Sequence, residues 1–392
     1  MPGQHALLSA SSAKRWMSCP PSARLEEKLR ERFGEGETEF AREGTRAHSL
    51  AELKLRKENG EINDYNYKLQ RAAMGEIPNE MDNATDYYCD IVMQKLYAAR
   101  KSCPDAKLLI EQRLDFSRYV PHGFGTGDAV VVSDLCLDVS DLKYGKGVPV
   151  SALENPQARL YGTGATLSFG SLYDFPTVRN TIIQPRLDSV TEEVLSREEL
   201  LRWAEDEAAP KARLAWEGQG EFCAGDWCRF CAARAICWHR MSRVLSMLTD
   251  TGMAGVVPDD QIPGILAVAD EAEAWIKDLK DYAKNQAISG LRWPGWKLVY
   301  GKRPARKWSS EDEARQQLLL AGYPTEKIEQ TKLLGIAELE KMMGVSAFRA
   351  ILGPYVTQAN GSPTLVPETD GRAEISSALE QFNDLEGETT NG

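Results

Sequence analysis

The stretch from Gly123 to Gly147 constrains the fold of this chain more than any other. It reads Gly123-Phe-Gly-Thr-Gly-Asp128-Ala-Val-Val-Val132, then Ser133-Asp134, then Leu135-Cys-Leu-Asp-Val-Ser-Asp-Leu-Lys143-Tyr-Gly-Lys-Gly147. Two apolar, Val-rich runs on either side of a Ser-Asp pair predict a β-hairpin. With a two-residue turn, Val132 pairs with Leu135 and Asp128 lies opposite Val139. Opposed residues share a face and side chains alternate with period two, so Asp128, Val139, Asp141 and Lys143 are expected on one face. Asp134 then falls in the turn and Asp138 on the other face. A one-residue change in the turn would undo the arrangement.

Two carboxylates and a lysine on one sheet face suit metal-assisted phosphodiester hydrolysis. Hard oxygen ligands hold Mg²⁺ or Mn²⁺, which polarises a phosphate and lowers the pKa of a bound water. A neighbouring lysine orients that water or stabilises the charge that develops on the phosphate. An isolated Asp-x-Lys is common on half-exposed strands and says little alone.

The surrounding chain reads as alternating helices and strands. Helices are expected over Ala13–Met17, Glu39–Lys57 and Asn79–Lys101, and Leu108–Leu114 is a strand candidate. Glu111 lies inside that strand and is expected at most to support the site. Asn155-Pro156 opens a helix that carries Gln157 and Tyr161 on one side. Thr181–Gln184 reads as a strand, Ser196–Trp216 as helical, and Gln261–Ser289 as an amphipathic helix.

Eight cysteines occur, and Cys223, Cys228, Cys231 and Cys237 fall close together. Such a cluster points to metal rather than disulfides in a cytosolic chain. Thiolates select Zn²⁺ or an iron–sulfur cluster. Cys223-x₄-Cys228-x₂-Cys231 has the local spacing of plant-type ferredoxins, with Cys237 as a fourth ligand. His239 would instead complete a Cys₃His zinc site. Cys89, Cys103 and Cys136 read as buried small residues.

Four short motifs in order resemble the RecB-like branch of the PD-(D/E)xK nuclease superfamily. They are Gly44-Thr45-Arg46-Ala47-His48, Gly127-Asp128, Asp141-Leu142-Lys143-Tyr144-Gly145 and Gln157-Ala-Arg-Leu-Tyr161. The resemblance implies that His48, Asp128 and Asp141 bind Mg²⁺ or Mn²⁺, with the Leu142 carbonyl as a further ligand. It implies that Lys143 is the catalytic lysine and that Gln157 and Tyr161 brace the site or contact DNA. Members with an iron–sulfur staple, such as the AddB-type and CRISPR adaptation exonucleases, use one N-terminal cysteine and three C-terminal ones. Cys19, in Trp16-Met-Ser-Cys-Pro-Pro, resembles that upstream ligand. The preferred set is therefore Cys19, Cys228, Cys231 and Cys237 on a [4Fe–4S] cluster, with Cys223 as the alternative ligand and structural zinc as the alternative metal.

The implied fold is α/β: a PD-(D/E)xK core with a mixed central sheet flanked by helices, an iron–sulfur staple and a C-terminal helical domain. The expected boundaries are 1–243 for the nuclease domain, 244–367 for the helical domain and 368–392 for an acidic, disordered tail. Short helices are expected over Ser309–Met343, and Gly361–Gly392 is too polar to form a core. The implied activity is DNA cleavage, as an exonuclease in phage or mobile-element replication or recombination. The rival readings are a non-catalytic DNA-binding subunit and a zinc-ribbon adaptor.

Charge bears on the partners. The formal net charge is −11, which excludes a histone-like coat but permits a local basic groove. Arg229, Arg234, Arg240 and Arg243 decorate the cysteine region, and Gly301–Trp308 adds four cations around an aromatic, so phosphate binding is expected there. The acidic tail would dock a phage replication or recombination protein or compete for the groove. No apolar run reaches the roughly 18 residues of a membrane span, and Met1–Ser18 lacks the pattern of a signal peptide. The expected location is the cytoplasm, without a membrane partner.

Overall fold

The expected hairpin forms the middle of a five-stranded mixed sheet. The structure, a computed structural model, describes residues 6–33, 39–249 and 259–297, with 316, 319, 320 and 344 as isolated positions. The chain enters through a 3₁₀ turn and α1 (Ala13–Ser18), followed by α2 (Ser22–Phe33), α3 (Glu39–Glu58), α4 (Asp64–Ala73) and α5 (Asn79–Ser102). Next come β1 (Lys107–Asp115), β2 (Phe124–Val132), β3 (Cys136–Leu142), α6 (Pro156–Phe169), β4 (Thr177–Gln184) and β5 (Ser189–Ser196). After these, α7 (Arg197–Trp203), a π turn (Ala204–Ala208) and α8 (Ala209–Glu217) lead to the cysteine segment. The described part closes with α9 (Trp238–Thr249) and α10 (Ile262–Ile288).

The sheet order is β1-β2-β3-β4-β5. All neighbours are antiparallel except β3 and β4, which run parallel and are joined through α6. A parallel pair needs such a crossover, which fixes α6 against the sheet. Asn155 caps α6, its side chain accepting from the Gln157 and Ala158 amides, and Pro156 occupies the first turn. On the α6 side the core includes Trp16, Leu114, Val130, Val139, Leu160 and Val178. On the other side, α3 and α5 bury Leu55, Tyr88 and Val92 against Ile110, Val131 and Ile183. This is an α/β architecture with helices on both faces of a mixed sheet.

Several expectations need correcting. The β2–β3 turn is longer than two residues, because Val132 pairs with Leu137 and Val130 with Val139. The Ser133 hydroxyl closes that turn by donating to the Cys136 carbonyl at 2.9 Å. The shift is two residues, so alternation within β3 survives. Ser196–Trp216 is helical as expected, from Arg197 on, with a π turn inside it: Ser196 ends β5 and caps α7 through a capping box with Glu199. The π turn follows from Pro210, which has no N–H to donate and whose ring crowds the carbonyl four residues back. There the Ala209 amide reaches the Ala204 carbonyl instead. Helices α2 and α4 and strand β5 were not anticipated.

The chain divides into compact units Met1–Ser289 and Gly290–Gly392. The expected boundary after Arg243 therefore falls inside the first unit. The expected short helices of Ser309–Met343, the basic Gly301–Trp308 segment and the acidic tail lie outside the continuously described residues. No described helix is long and apolar enough to cross a membrane.

Candidate metal centre and cysteine cavity

The candidate centre sits where the ladder is interrupted. In the β1–β2 register, Ile110 pairs with Ala129 and Gln112 with Gly127, while Glu111 and Asp128 between them drop out. Glu111 has φ +51, a left-handed conformation that costs a non-glycine residue energy. Leu108 and Ile110 face the α3–α5 layer, whereas Leu114 faces α6, so the alternation of β1 switches across Glu111. On the other side of β2, pairing with β3 stops at Ala129–Ser140. The Leu142 amide, beyond that last pair, donates to Asp128 Oδ2 at 2.7 Å.

His48 projects from α3 toward the same point, with Nδ1 3.2 Å from Asp128 Oδ1. One ligand atom each from His48, Glu111 and Asp128 lies within 4.8 Å of the others, which is the spacing of a group able to hold a metal ion. Burial works against protonation of His48, but Asp128, with Asp141 behind it, raises its pKa to about 9. Burial, with Asp128 and Glu52 nearby, pushes the Glu111 carboxyl up to about 7.

Asp141 and Lys143 form a second group on the α6 side. Lys143 Nζ lies 2.8 Å from Asp141 Oδ2 and donates to Gln157 Oε1 at 3.1 Å. Gln157 Nε2 donates to Asp141 Oδ1 at 3.1 Å and lies 3.5 Å from the Tyr161 hydroxyl. The lysine is off the hydrogen-bond line, which leaves buried Asp141 Oδ2 without an aligned donor. Burial raises the Asp141 pKa against the opposing charge of Lys143. The register, shifted by two residues, carries Asp128 opposite Asp141, with Asp128 reaching His48 on α3 and Asp141 reaching Lys143 and, on α6, Gln157.

The donor set fits a hard divalent cation: two carboxylates and an imidazole, with a third carboxylate oxygen unpartnered beside them. Glu111 is the residue that sequence reasoning undervalued. Asp138 is buried on the far face, where both its oxygens accept from Lys95 at 3.0 Å, and takes no part. Asp134 accepts from the Asp174 amide.

The cysteines converge on a separate cavity lined by Cys19, Cys223, Cys228, Cys231, Cys237 and His239. The Cys223 amide donates to Cys19 Sγ and the Gly225 amide to Cys228 Sγ, each at 3.4 Å. Burial raises the pKa of the Cys19 and Cys228 thiols and pushes Cys231 up to about 12. Among the described residues no three thiols lie within 4.8 Å of one another. His239 stacks on Phe222 with ring centres 4.8 Å apart. The protein also ties the first helices to the cysteine segment directly. Lys14 pairs with Asp226, Arg15 donates to the Phe230 carbonyl at 3.0 Å, and the Ala232 amide donates to Glu26 at 2.7 Å.

The expected basic patch is largely spent on α10. Arg234 and Arg240 pair with Asp278 at 3.0 and 2.6 Å, and Arg243 with Glu271 at 3.3 Å.

Residues 5–373 match the family described as "Protein of unknown function (DUF2800)". The chain belongs to the DUF2800 family. This DUF2800 protein also shows a likeness to the solved structure titled "Crystal structure of SSO0001", with 16% identity over 55% of this chain and 94% of that chain. The TM-score is 0.20, too low for the likeness to bear on fold or activity.

Proposed function

We propose that this protein is a metal-dependent DNA nuclease that hydrolyses phosphodiester bonds. The observation that carries the reading is the interrupted ladder, which brings His48, Glu111 and Asp128 together beside the Asp141–Lys143–Gln157 group. His48, Glu111 and Asp128 would hold Mg²⁺ or Mn²⁺, with Asp141 and the Leu142 carbonyl as further oxygen donors. The bound cation would polarise the phosphate and supply a water of lowered pKa. Lys143 carries the fixed positive charge next to Asp141, suited to orienting the attacking water or stabilising the charge that develops. Gln157 bridges Lys143 and Asp141, so the lysine ammonium is aimed before substrate arrives. Tyr161 holds Gln157 from one helical turn away.

The cysteine cavity suits a [4Fe–4S] cluster better than zinc. Tetrahedral zinc at about 2.3 Å from each sulfur draws its ligands to about 3.8 Å from one another, whereas among the described residues no three of these thiols lie within 4.8 Å of one another. A cubane spreads four ligands wider, and amide N–H groups on Cys19 and Cys228 suit cluster thiolates. Exonuclease action in phage or mobile-element replication or recombination is the setting that the sequence resemblance supports.

The test is anaerobic purification followed by digestion of end-labelled single- and double-stranded DNA with Mg²⁺ or Mn²⁺. Asp128→Ala, Asp141→Ala and Lys143→Ala should each lower cleavage by at least about a hundredfold while melting like the wild type. Wild-type cleavage by Asp128→Ala would sink the reading.

A further inference from the structure

The arginines of the cysteine segment that pair with α10 leave a strand of DNA to be held elsewhere. Among the described residues, Arg113, Arg118 and Arg213 make no ion pair. Arg113 stacks over Phe124 at 3.8 Å and Arg118 over Tyr119 at 5.5 Å. Arg118 and Arg213 line one cavity of about 270 Å³ together with Tyr119, Glu205, Ala209 and Pro210. Its walls are the β1–β2 loop and the π turn that Pro210 forces.

Arg118 and Tyr119 follow in the chain from the end of β1, the strand that carries Glu111. From Glu111 to the end of β1 at Asp115 the strand advances about 13 Å, and the loop carrying Arg118 begins there.

We propose that the cavity holds a backbone phosphate of the DNA strand that is cut, away from the bond that is broken, an inference that rests on the nuclease reading. Two guanidiniums offer forked donors to phosphate oxygens, which a lysine pair would not match in geometry. Arg113 lies between the metal ligands and the cavity along β1, so the three cations mark a path rather than one point. Glu205 stands in the same cavity as a like charge to the phosphate. It weakens the hold, so that a strand can advance after each cut.

The experiment measures binding of a labelled mixed-sequence DNA by the full-length protein in EDTA, by fluorescence anisotropy across a salt series. Arg118→Ala/Arg213→Ala should bind about tenfold more weakly than wild type, with the salt slope shallower by about one to two. Glu205→Gln should bind more tightly. Lys68→Ala/Lys101→Ala removes the same charge from exposed helix positions elsewhere and should bind as wild type does. Equal binding by the Arg118/Arg213 variant and this control overturns the proposal. Inorganic phosphate should weaken DNA binding by the wild type at concentrations that leave binding by the Arg118→Ala/Arg213→Ala variant unchanged, because the ion and the DNA backbone compete for the cavity. Hydrolysis of bis(p-nitrophenyl) phosphate by the wild type is measured in parallel. Its absence with every divalent ion, together with absent DNA cleavage, counts against the nuclease reading and leaves the binding comparison to decide the cavity.

Discussion

Gly125 shows how tightly single atoms are placed around the centre. A Cβ there would lie 2.6 Å from Tyr161 Cε1, so only glycine lets β2 pass beneath the tyrosine ring. Gly125→Ala should displace Tyr161 and, through it, Gln157. The expected result is a cleavage rate lower by about ten- to a hundredfold, with melting shifted only a few degrees. An unchanged rate in a folded Gly125→Ala protein would show that the tyrosine's position is immaterial. Residue-scale legibility was uneven. His48, Asp128, Asp141, Lys143, Gln157 and Tyr161 stand in motifs that local order exposes, and the structure joins them by direct contacts in two groups. Glu111 was harder because period two predicts one face for Leu108, Ile110 and Leu114. The face switches at a left-handed residue whose conformation depends on neighbours far along the chain. The available signal was a lone acid in an apolar run.

At the scale of elements, the long helices were legible because apolar spacing and caps agree, as in α3, α5 and α6. Strand β5 was not. Its Val190 and Val194 are exposed, so the alternation that betrays a half-buried strand is weak. The hairpin turn was misjudged because Ser133 closes it through a side chain, which turn propensity alone does not specify. Helices α3 and α5 are joined by a buried lysine. Lys54 Nζ meets Asp82 Oδ1 at 2.7 Å and the Thr85 hydroxyl at 2.9 Å. Burial would raise the Asp82 pKa, but Lys54 and Arg71 more than offset it and hold it below the ordinary value of 3.8. A lowered carboxylate contributes stability above its unfolded pKa and loses it as pH falls through the folded one. Lys54→Met should therefore cost about 2 kcal/mol at neutral pH. It should also move acid unfolding, followed by circular dichroism, to higher pH. An unmoved acid midpoint would show that the pair contributes nothing.

For the whole molecule, the cysteine segment of the first compact unit is held both by the first helices and by α10. A chain stopped after Ser289 keeps Asp278 and Glu271, the partners of Arg234, Arg240 and Arg243, and should melt cooperatively. One stopped after Arg243 leaves the buried Arg240 guanidinium without its carboxylate, which should destabilise it by about 3 kcal/mol. Equal melting of the two would mean that α10 adds nothing to this unit. The cysteine cavity offers a second measurement at the same scale. Cys19→Ala should lose iron and lower the melting temperature, while Cys223→Ala, whose thiol is exposed, should retain iron. Full iron in Cys19→Ala with loss in Cys223→Ala would transfer the ligand role to Cys223.

The link between the first helices and the cysteine segment also sets a schedule for synthesis. Arg15 and Glu26 find partners at Phe230 and Ala232, 215 and 206 residues later. At about 5–20 residues per second, a ribosome needs roughly 10–40 s to deliver them. For that interval α1 and α2 wait beside an unfinished sheet, with part of their binding surface uncovered. Contacts so distant along the chain also slow the final closure. The nascent chain thus depends on keeping its first thirty residues soluble and unpaired, and their charged, amphipathic composition meets that demand before any of their distant partners exists.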